Sequence, residues 1–180
     1  MDFHQAESAD ISRIGEIDRA ETIAMKYSCR ATPNYGIELQ TIQLDPPEEV
    51  PDWDADGVRR RARWWKSEID EGGALFVAEE DGQLQGFAVL GREKAARSAE
   101  MVALFIDKDH RGKGLGQELV QLLESEAAKR GLHTIYVQSN ETASSVGFYQ
   151  SVGYTIVCLM DPSLVWLPMM ETSIVLARKL

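Results

Sequence analysis

Arg111-Gly112-Lys113-Gly114-Leu115-Gly116 stands between an apolar run, residues 101 to 106, and a segment in which Leu115, Leu119, Leu122, Leu123 and Ala127 share one helical face. A strand that enters a helix through such a loop builds an anion site. The first amides of the helix have no intrahelical partner, and the helix end carries about half a positive charge. Glycines let a phosphate reach the main chain without meeting a Cβ, so a pyrophosphate is the natural guest. Lys129, Arg130 and Gly131 close the helix with the cations and the glycine that a C-terminus favours.

Two familiar phosphate loops do not fit. A P-loop needs Ser or Thr after its Gly-Lys, whereas Gly114 follows Lys113, and no glycine stands at 107. The dinucleotide fingerprint needs a glycine at 117, which is Gln, and a βαβ unit where this chain has a helix followed by a hairpin. What remains is R-x-x-G-x-G at Arg111, Gly114 and Gly116. Here the sequence resembles the GNAT superfamily of acetyl-CoA-dependent N-acetyltransferases, well over residues 74 to 180, loosely over 1 to 12, and least over 24 to 72. An ordinary tight turn before a helix would explain the glycines alone, but not Arg111 together with the second motif below.

The resemblance implies a single N-acetyltransferase domain over residues 1–180. Its fold would be α/β (α+β), with a mostly antiparallel, splayed central sheet flanked by helices. It implies acetyl-CoA as cosubstrate and no metal. The pyrophosphate would lie on the amides of Gly112, Lys113, Gly114, Leu115 and Gly116 and on Arg111. The family splays its central strand from the next at a bulge, where pantetheine pairs with exposed main chain as a further strand would. Phe105 and Ile106 would supply those groups, and amides aimed at the thioester carbonyl would stabilise an oxyanion.

The second motif is SNETASSVGFYQSVGY, in which Phe148-Tyr149 and Gly153-Tyr154 resemble the family's aromatic pair, three intervening residues and Gly-aromatic. By that resemblance Tyr149 is the general acid, a phenol whose ordinary pKa of about 10 matches a departing thiolate. The bland alternative is an aromatic packed against the helix before Gly153. The family's asparagine, seven residues before the tyrosine, is replaced by Thr142, and Asn140 lies two residues earlier. Either could contact the pantetheine, and an Asn at a helix start is equally an N-cap.

An alkylammonium has a pKa near 10 and cannot attack a thioester until its proton leaves. Glu100, at the start of AEMVALFI, looks like the glutamate base in AEIVFCAI of the histone-acetylating branch. Other branches use an acid elsewhere or water, and a Glu at a strand end is often merely solvated. His110 is the rival by residue type, but it precedes the phosphate loop, on the cofactor side.

The elements that must position these groups follow from periodicity. Ile11, Ile14, Ile17 and Ile23 predict a helix over residues 8 to 23 capped by Ser8, behind a short strand at 1 to 5. Residues 35 to 44 read as a strand with one slip in alternation, and 45 to 56, with six acids, three prolines and no base, as a loop. Val58, Ala62, Trp65 and Ile69 predict a helix that Gly72-Gly73 ends. ALFVAEE and QLQGFAVLGR form a hairpin about Asp81-Gly82, and a strand over 100 to 106 follows. After the loop's helix come a strand at 134 to 138, a helix at 141 to 152, a strand at 154 to 159 and a closing strand from 172 to 180.

Composition narrows the partners. The 19 Lys and Arg against 29 Asp and Glu leave a net charge of −10, which removes most of the attraction nucleic-acid phosphates require. Apolar residues make up 44% of 180, enough for one globular domain. Two cysteines, Cys29 and Cys158, with no CxxC pair, support neither a disulfide framework nor zinc. With no apolar leader or span, the expectation is a cytoplasmic protein without a membrane partner, a homodimer being left open. Tyr27, Tyr35, Asp45, Glu48, Glu49, Asp52, Trp53 and Asp54, ahead of Arg59, Arg60, Arg61 and Arg63, form the stretch where GNAT members differ. Carboxylates with aromatics there suit a small cationic amine, although a solvated acidic loop is the plainer reading for each residue. Gln138 and Phe148-Tyr149 resemble the streptothricin-type antibiotic acetyltransferases, a likeness that does not set the acceptor. A protein lysine or N-terminal acetyltransferase and a non-catalytic acyl-CoA-binding module are the alternatives.

Overall fold

Strand β1 (Asp2–Ala6) and a 3₁₀ helix (Ser8–Glu16) open the chain, followed by β2 (Glu21–Ala31), β3 (Ile37–Val50) and helix α1 (Ala55–Asp70). Strands β4 (Ala74–Glu80), β5 (Gln83–Glu93) and β6 (Ser98–Ile106) lead to α2 (Leu115–Lys129), then β7 (Thr134–Ser139), α3 (Ala143–Ser151), β8 (Thr155–Leu159) and β9 (Ile174–Lys179). This computed structural model describes residues 1–34, 36–159 and 174–180. They divide into two compact units, residues 1–21 with 51–135 and 180, and residues 22–50 with 136–179. Antiparallel pairing predominates and helices flank the sheet, as expected.

In the first unit β1, β4, β5 and β6 pair in that order, all antiparallel. Asp81 and Gly82 take φ of 53° and 77°, the positive values at both central positions that a type I′ hairpin requires. Ile11, Ile14 and Ile17 pack with Trp65, Leu75, Val77, Phe87 and Val89 into one core that α1 and the 3₁₀ helix cover. Each such side chain contributes about 1.5–3 kcal/mol by leaving water. Gly86, one residue from Phe87 and so on the other side of the pleat, faces α2. A Cβ there would come within 3.3 Å of Leu119 Cδ1. Asp54 caps α1 by accepting the Gly57 amide at 2.6 Å.

The helix expected over residues 8 to 23 stops at Glu16. Ile11, Ile14 and Ile17 recur every three residues, the period of a 3₁₀ rather than an α-helix, and Ile23 belongs to β2. The cap is Glu7, whose amide donates to Asp10 Oδ2 at 3.1 Å, and not Ser8.

In the second unit β2 and β3 form a two-stranded ribbon, and β7, β9 and β8 lie in that order. Strand β3 runs through residues 45–50, which sequence composition assigns to a loop, and β2 was not expected at all. A two-stranded ribbon is all edge, so Pro46 and Pro47 interrupt no central ladder. Pairs across it, Lys26 Nζ with Glu48 Oε2 at 2.5 Å and Thr22 Oγ1 with Glu49 Oε2 at 2.8 Å, use the acids. Tyr35 and residues 172–173 of the expected closing strand lie outside the described residues.

Candidate active site

Strand β6 ends at Ile106, and the chain reaches α2 through two left-handed glycines, Gly112 at φ 71° and Gly114 at φ 89°. No atom lies within 4 Å of where a Cβ would stand on either, so the space above the loop is open. The first intrahelical bond runs from the Glu118 amide to the Gly114 carbonyl at 3.1 Å, which leaves the amides of Leu115, Gly116 and Gln117 ahead of it. Leu115 and Gly116 are buried, while Gly112, Lys113 and Gly114 are exposed. An open loop with orphan amides at a helix N-terminus fits a pyrophosphate, and these residues could hold that of acetyl-CoA.

The loop is anchored to the segment after the 3₁₀ helix. Asp107 Oδ2 accepts the Asp18 amide at 3.0 Å and its Oδ1 the Asp109 amide at 2.9 Å, while the Lys108 amide donates to the Asp18 carbonyl at 2.9 Å. Burial works to raise the Asp107 pKa, but hydrogen bonds from both amides and from His110 outweigh it and hold the carboxyl below its ordinary value. Arg111 donates to the carbonyls of Arg19, Ala20 and Ile106 at 2.9, 3.1 and 3.3 Å. Its guanidinium is thus positioned by three backbone oxygens. His110 sits 3.6 Å from Glu80 and 3.5 Å from Asp107.

Strand β6 carries a bulge at Val102, because Val89 pairs with Ala103 but Leu90 with Met101. Phe105 and Ile106 pair with Phe87 and Gly86, and Phe105 stacks on Phe87 at 5.6 Å between ring centroids. Glu100 is half-buried on the same strand. Beside it lies a residue the sequence reading passed over. Glu68 is 8% exposed, accepts the Arg92 amide at 3.2 Å and faces Lys94 Nζ at 3.3 Å. A Cβ on Gly91 would come within 3.1 Å of the Glu68 carboxylate and 3.3 Å of the Glu100 carbonyl. Its signal was available: Glu68 falls three residues after Trp65, on the buried stripe of α1.

The other expected residues belong to the second unit. Thr142, not Asn140, caps α3, its Oγ1 accepting the Ser145 amide at 3.2 Å and pairing with Ser144 Oγ at 3.0 Å. Asn140 is exposed. Tyr149 is buried on α3, its ring 5.4 Å from Phe148 and 5.9 Å from Tyr154. Burial pushes its phenol above the ordinary value, so the group holds its proton. Gly153, at φ 94°, ends the helix, and Arg178 Nη1 donates to the Val152 carbonyl at 2.6 Å.

The acids ahead of α1 are largely engaged in structure. Asp52 Oδ1 accepts the Trp53 and Arg19 amides at 2.7 and 3.3 Å, Asp54 is the cap, and Glu48 and Glu49 pair within the ribbon. Among the described residues no cluster of three or more His, Cys, Asp or Glu side chains is arranged to hold a metal, and no helix is long and apolar enough to cross a membrane.

A glycine loop with orphan amides stands between an antiparallel strand and a helix, and comparison with known proteins gives the family. Residues 38–154 match the model of the acetyltransferase (GNAT) family, and the chain belongs to it. An L-amino acid N-acyltransferase of Escherichia coli is 29% identical over 104 residues, 56% of this chain and 60% of that protein. The match therefore spans about 60% of that curated relative's length. The streptothricin acetyltransferase of Streptomyces lavendulae is 24% identical over 166 residues, 91% of this chain and 85% of the relative. The crystal structure of nourseothricin acetyltransferase superposes with a TM-score of 0.77 at 21% identity, covering 99% of this chain and 97% of that one. A Bacillus anthracis protein assigned as a streptothricin acetyltransferase, in complex with acetyl coenzyme A, gives 0.68 at 19% identity, with 99% and 97% covered.

Proposed function

We propose that this protein is an acetyl-CoA-dependent N-acetyltransferase, a single catalytic domain that moves an acetyl group directly to the primary amine of a small molecule, cationic at that nitrogen in solution. The observation that carries the reading is the loop from Gly112 to Gly116, with open space at both left-handed glycines and orphan amides at the start of α2. Bound there, acetyl-CoA supplies an activated acetyl group as a thioester. Membership of the GNAT family supports this, as do relatives named for acylating L-amino acids and for acetylating streptothricin.

The chain's own groups have distinct tasks. Amides of residues 112–116 bind the pyrophosphate, while Arg111, fastened to three carbonyls, holds the loop and adds positive charge beside it. Main-chain groups of Phe105 and Ile106 align the pantetheine, and Asn140 or Thr142 meets it, the Thr142 hydroxyl being already engaged as the cap of α3. Tyr149, kept protonated by burial, donates a proton to the departing thiolate. Glu100 takes the proton from the amine. Transfer without a covalent enzyme intermediate suits a chain whose cysteines, Cys29 buried and Cys158 exposed, both lie outside the two motifs.

Calorimetric titration of acetyl-CoA into the wild type and Gly114→Asp tests the binding step. An aspartate there would stand at positive φ with its charge facing the phosphates, so affinity should fall at least about tenfold, the equivalent of ~1.4 kcal/mol. No binding to the wild type, or equal binding to both, would remove the basis of the assignment.

A further inference from the structure

Around Trp53 the first unit gathers hydrogen-bond donors without matching acceptors. The Cζ atoms of Arg61 and Arg19 lie 4.7 Å and 5.4 Å from the Trp53 ring centroid. The indole in turn meets Phe105 at 4.7 Å and Trp65 at 5.7 Å. Three donor atoms of this cluster, Arg19 Nε, Trp53 Nε1 and Trp65 Nε1, are buried and have no acceptor among the described residues. A buried donor left unpaired costs stability, so three in contact need an explanation.

The cations are equally short of partners. Neither Arg19 nor Arg61 forms an ion pair among the described residues. Arg19 Nη2 donates to the Pro51 carbonyl at 3.0 Å, and Arg61 Nη1 reaches the Gly57 carbonyl at 3.5 Å. Asp52 and Asp54 are turned to backbone amides, Asp52 to those of Arg19 and Trp53, Asp54 to that of Gly57. Arg111 brings a third positive charge to the Arg19 carbonyl at 2.9 Å. Burial lowers the Arg19 guanidinium below its ordinary pKa, the charge of Arg61 lowers it further, and Asp52 and Glu21 oppose both. Attraction of a cation to the indole face explains each contact singly but not two cations on one ring.

The placement of Arg61 depends on a glycine. A Cβ on Gly57 would come within 3.0 Å of Asp54 Oδ1, 3.3 Å of Arg61 Nη1 and 3.5 Å of Trp53 Cβ. Gly57 therefore lets Arg61 fold back over the first turn of α1 toward Trp53.

We propose that Arg19 and Arg61, with the indole N–H groups of Trp53 and Trp65, form a subsite for a carboxylate, so that the amine acetylated here also carries a carboxylate, as an amino acid does. This rests on the acetyltransferase reading above. A guanidinium offers a carboxylate two parallel donors, and a carboxylate between two guanidinium groups relieves their repulsion. The edge contact of Trp53 with Phe105 sets the subsite one ring away from the strand end assigned to the thioester arm. A cosubstrate phosphate has the same acceptor chemistry, but the glycine loop already serves the pyrophosphate.

The test compares acceptors that differ only in the carboxylate: L-phenylalanine with phenethylamine, L-leucine with isoamylamine, L-methionine with 3-methylthiopropylamine. With the wild type, kcat/KM should favour the amino acid of each pair by about 10- to 100-fold, the range for a hydrogen-bonded charge. Arg19→Gln and Arg61→Gln should erase that preference by raising the amino-acid KM, leaving the KM for acetyl-CoA unchanged. Equal kcat/KM within each pair would overturn the proposal, as would an effect of either variant on acetyl-CoA alone, which would make the subsite a phosphate contact. Saturation-transfer NMR on the wild type with CoA present reads the subsite without catalysis and without a variant. Amino acids that bind while their amines do not, with no acetyl transfer to either, would sink the acetyltransferase reading and leave the subsite standing. No binding preference would overturn the subsite whatever the activity.

Discussion

Asp107 Oδ2 accepts the backbone amide of Asp18 at 3.0 Å, across 89 residues of sequence. The bond fastens the end of β6 to the segment carrying Arg19, so the phosphate loop and the donor cluster around Trp53 share one anchor. Both Asp107 oxygens accept amides, and an asparagine would turn its NH2 toward one of them. Asp107→Asn should therefore cost about 1–3 kcal/mol at pH 7. The folded carboxyl titrates below the unfolded value of 3.8, so its contribution is complete above that pH and fades as pH falls through the folded value. Thermal melts of wild type and variant should differ at pH 7 and draw together as pH falls below 3.8. A gap that persists unchanged at low pH would assign the loss to packing.

Tyr149→Phe should lower kcat by about two to four powers of ten and leave acetyl-CoA affinity within a few-fold, because the proton is needed only as the carbon–sulfur bond breaks. Since burial raises this phenol above 10, its ionisation should produce no loss of wild-type activity below pH 10. The same shift makes the folded state the tighter proton binder. Stability is then complete below pH 10 and declines as pH rises beyond it, a decline that Tyr149→Phe should lessen. Turnover–pH profiles and alkaline melts check both, and a Phe variant with full turnover would transfer the role to water.

Glu100→Gln should remove the low-pH limb of the turnover profile and lower kcat by about two to four powers of ten. Retention of that limb would point to another base, for which Glu68, buried beside the Glu100 backbone, and His110 are the groups to replace next.

Gly73→Ala should destabilise the fold by about 2–3 kcal/mol or more. A Cβ there would stand 2.3 Å from the Leu90 carbonyl oxygen and 2.6 Å from that of Glu68, and neither backbone atom can swing aside as a side chain would. Chemical denaturation measures the loss, and a shift of under about 0.5 kcal/mol, the usual scale of surface substitutions, would contradict the packing described.

Elements governed by local rules were legible in the sequence. Asp81-Gly82 specified its own turn, Gly72-Gly73 ended α1, and Gly114 marked the start of α2, because positive φ and helix termination are short-range effects. The 3₁₀ helix was misread as longer because three isoleucines at spacing three fit either period once Ile23 is added. Strand β2 escaped notice, and β3 was legible only over residues 35 to 44, because a two-stranded ribbon buries little on either face and so writes no strong alternation. At the site, Tyr149 and the glycine loop announced themselves by motif. Arg19 and Glu68 did not, since what distinguishes them is the company they keep after folding: an indole and a second guanidinium for one, a glycine and the Glu100 backbone for the other.

The most direct test of the account is acetyl transfer itself, followed as thiol release from acetyl-CoA and as N-acetylated product by mass spectrometry, over a panel of amino acids, polyamines, aminoglycosides and peptides. Wild-type protein should release one CoA for each amine acetylated on at least one small-molecule acceptor, and Gly114→Asp should slow the release at acetyl-CoA concentrations well below those that saturate the wild type. Acetylation confined to peptides would contradict the small-molecule acceptor, and binding of acetyl-CoA with no release on any acceptor would contradict the assignment as an enzyme.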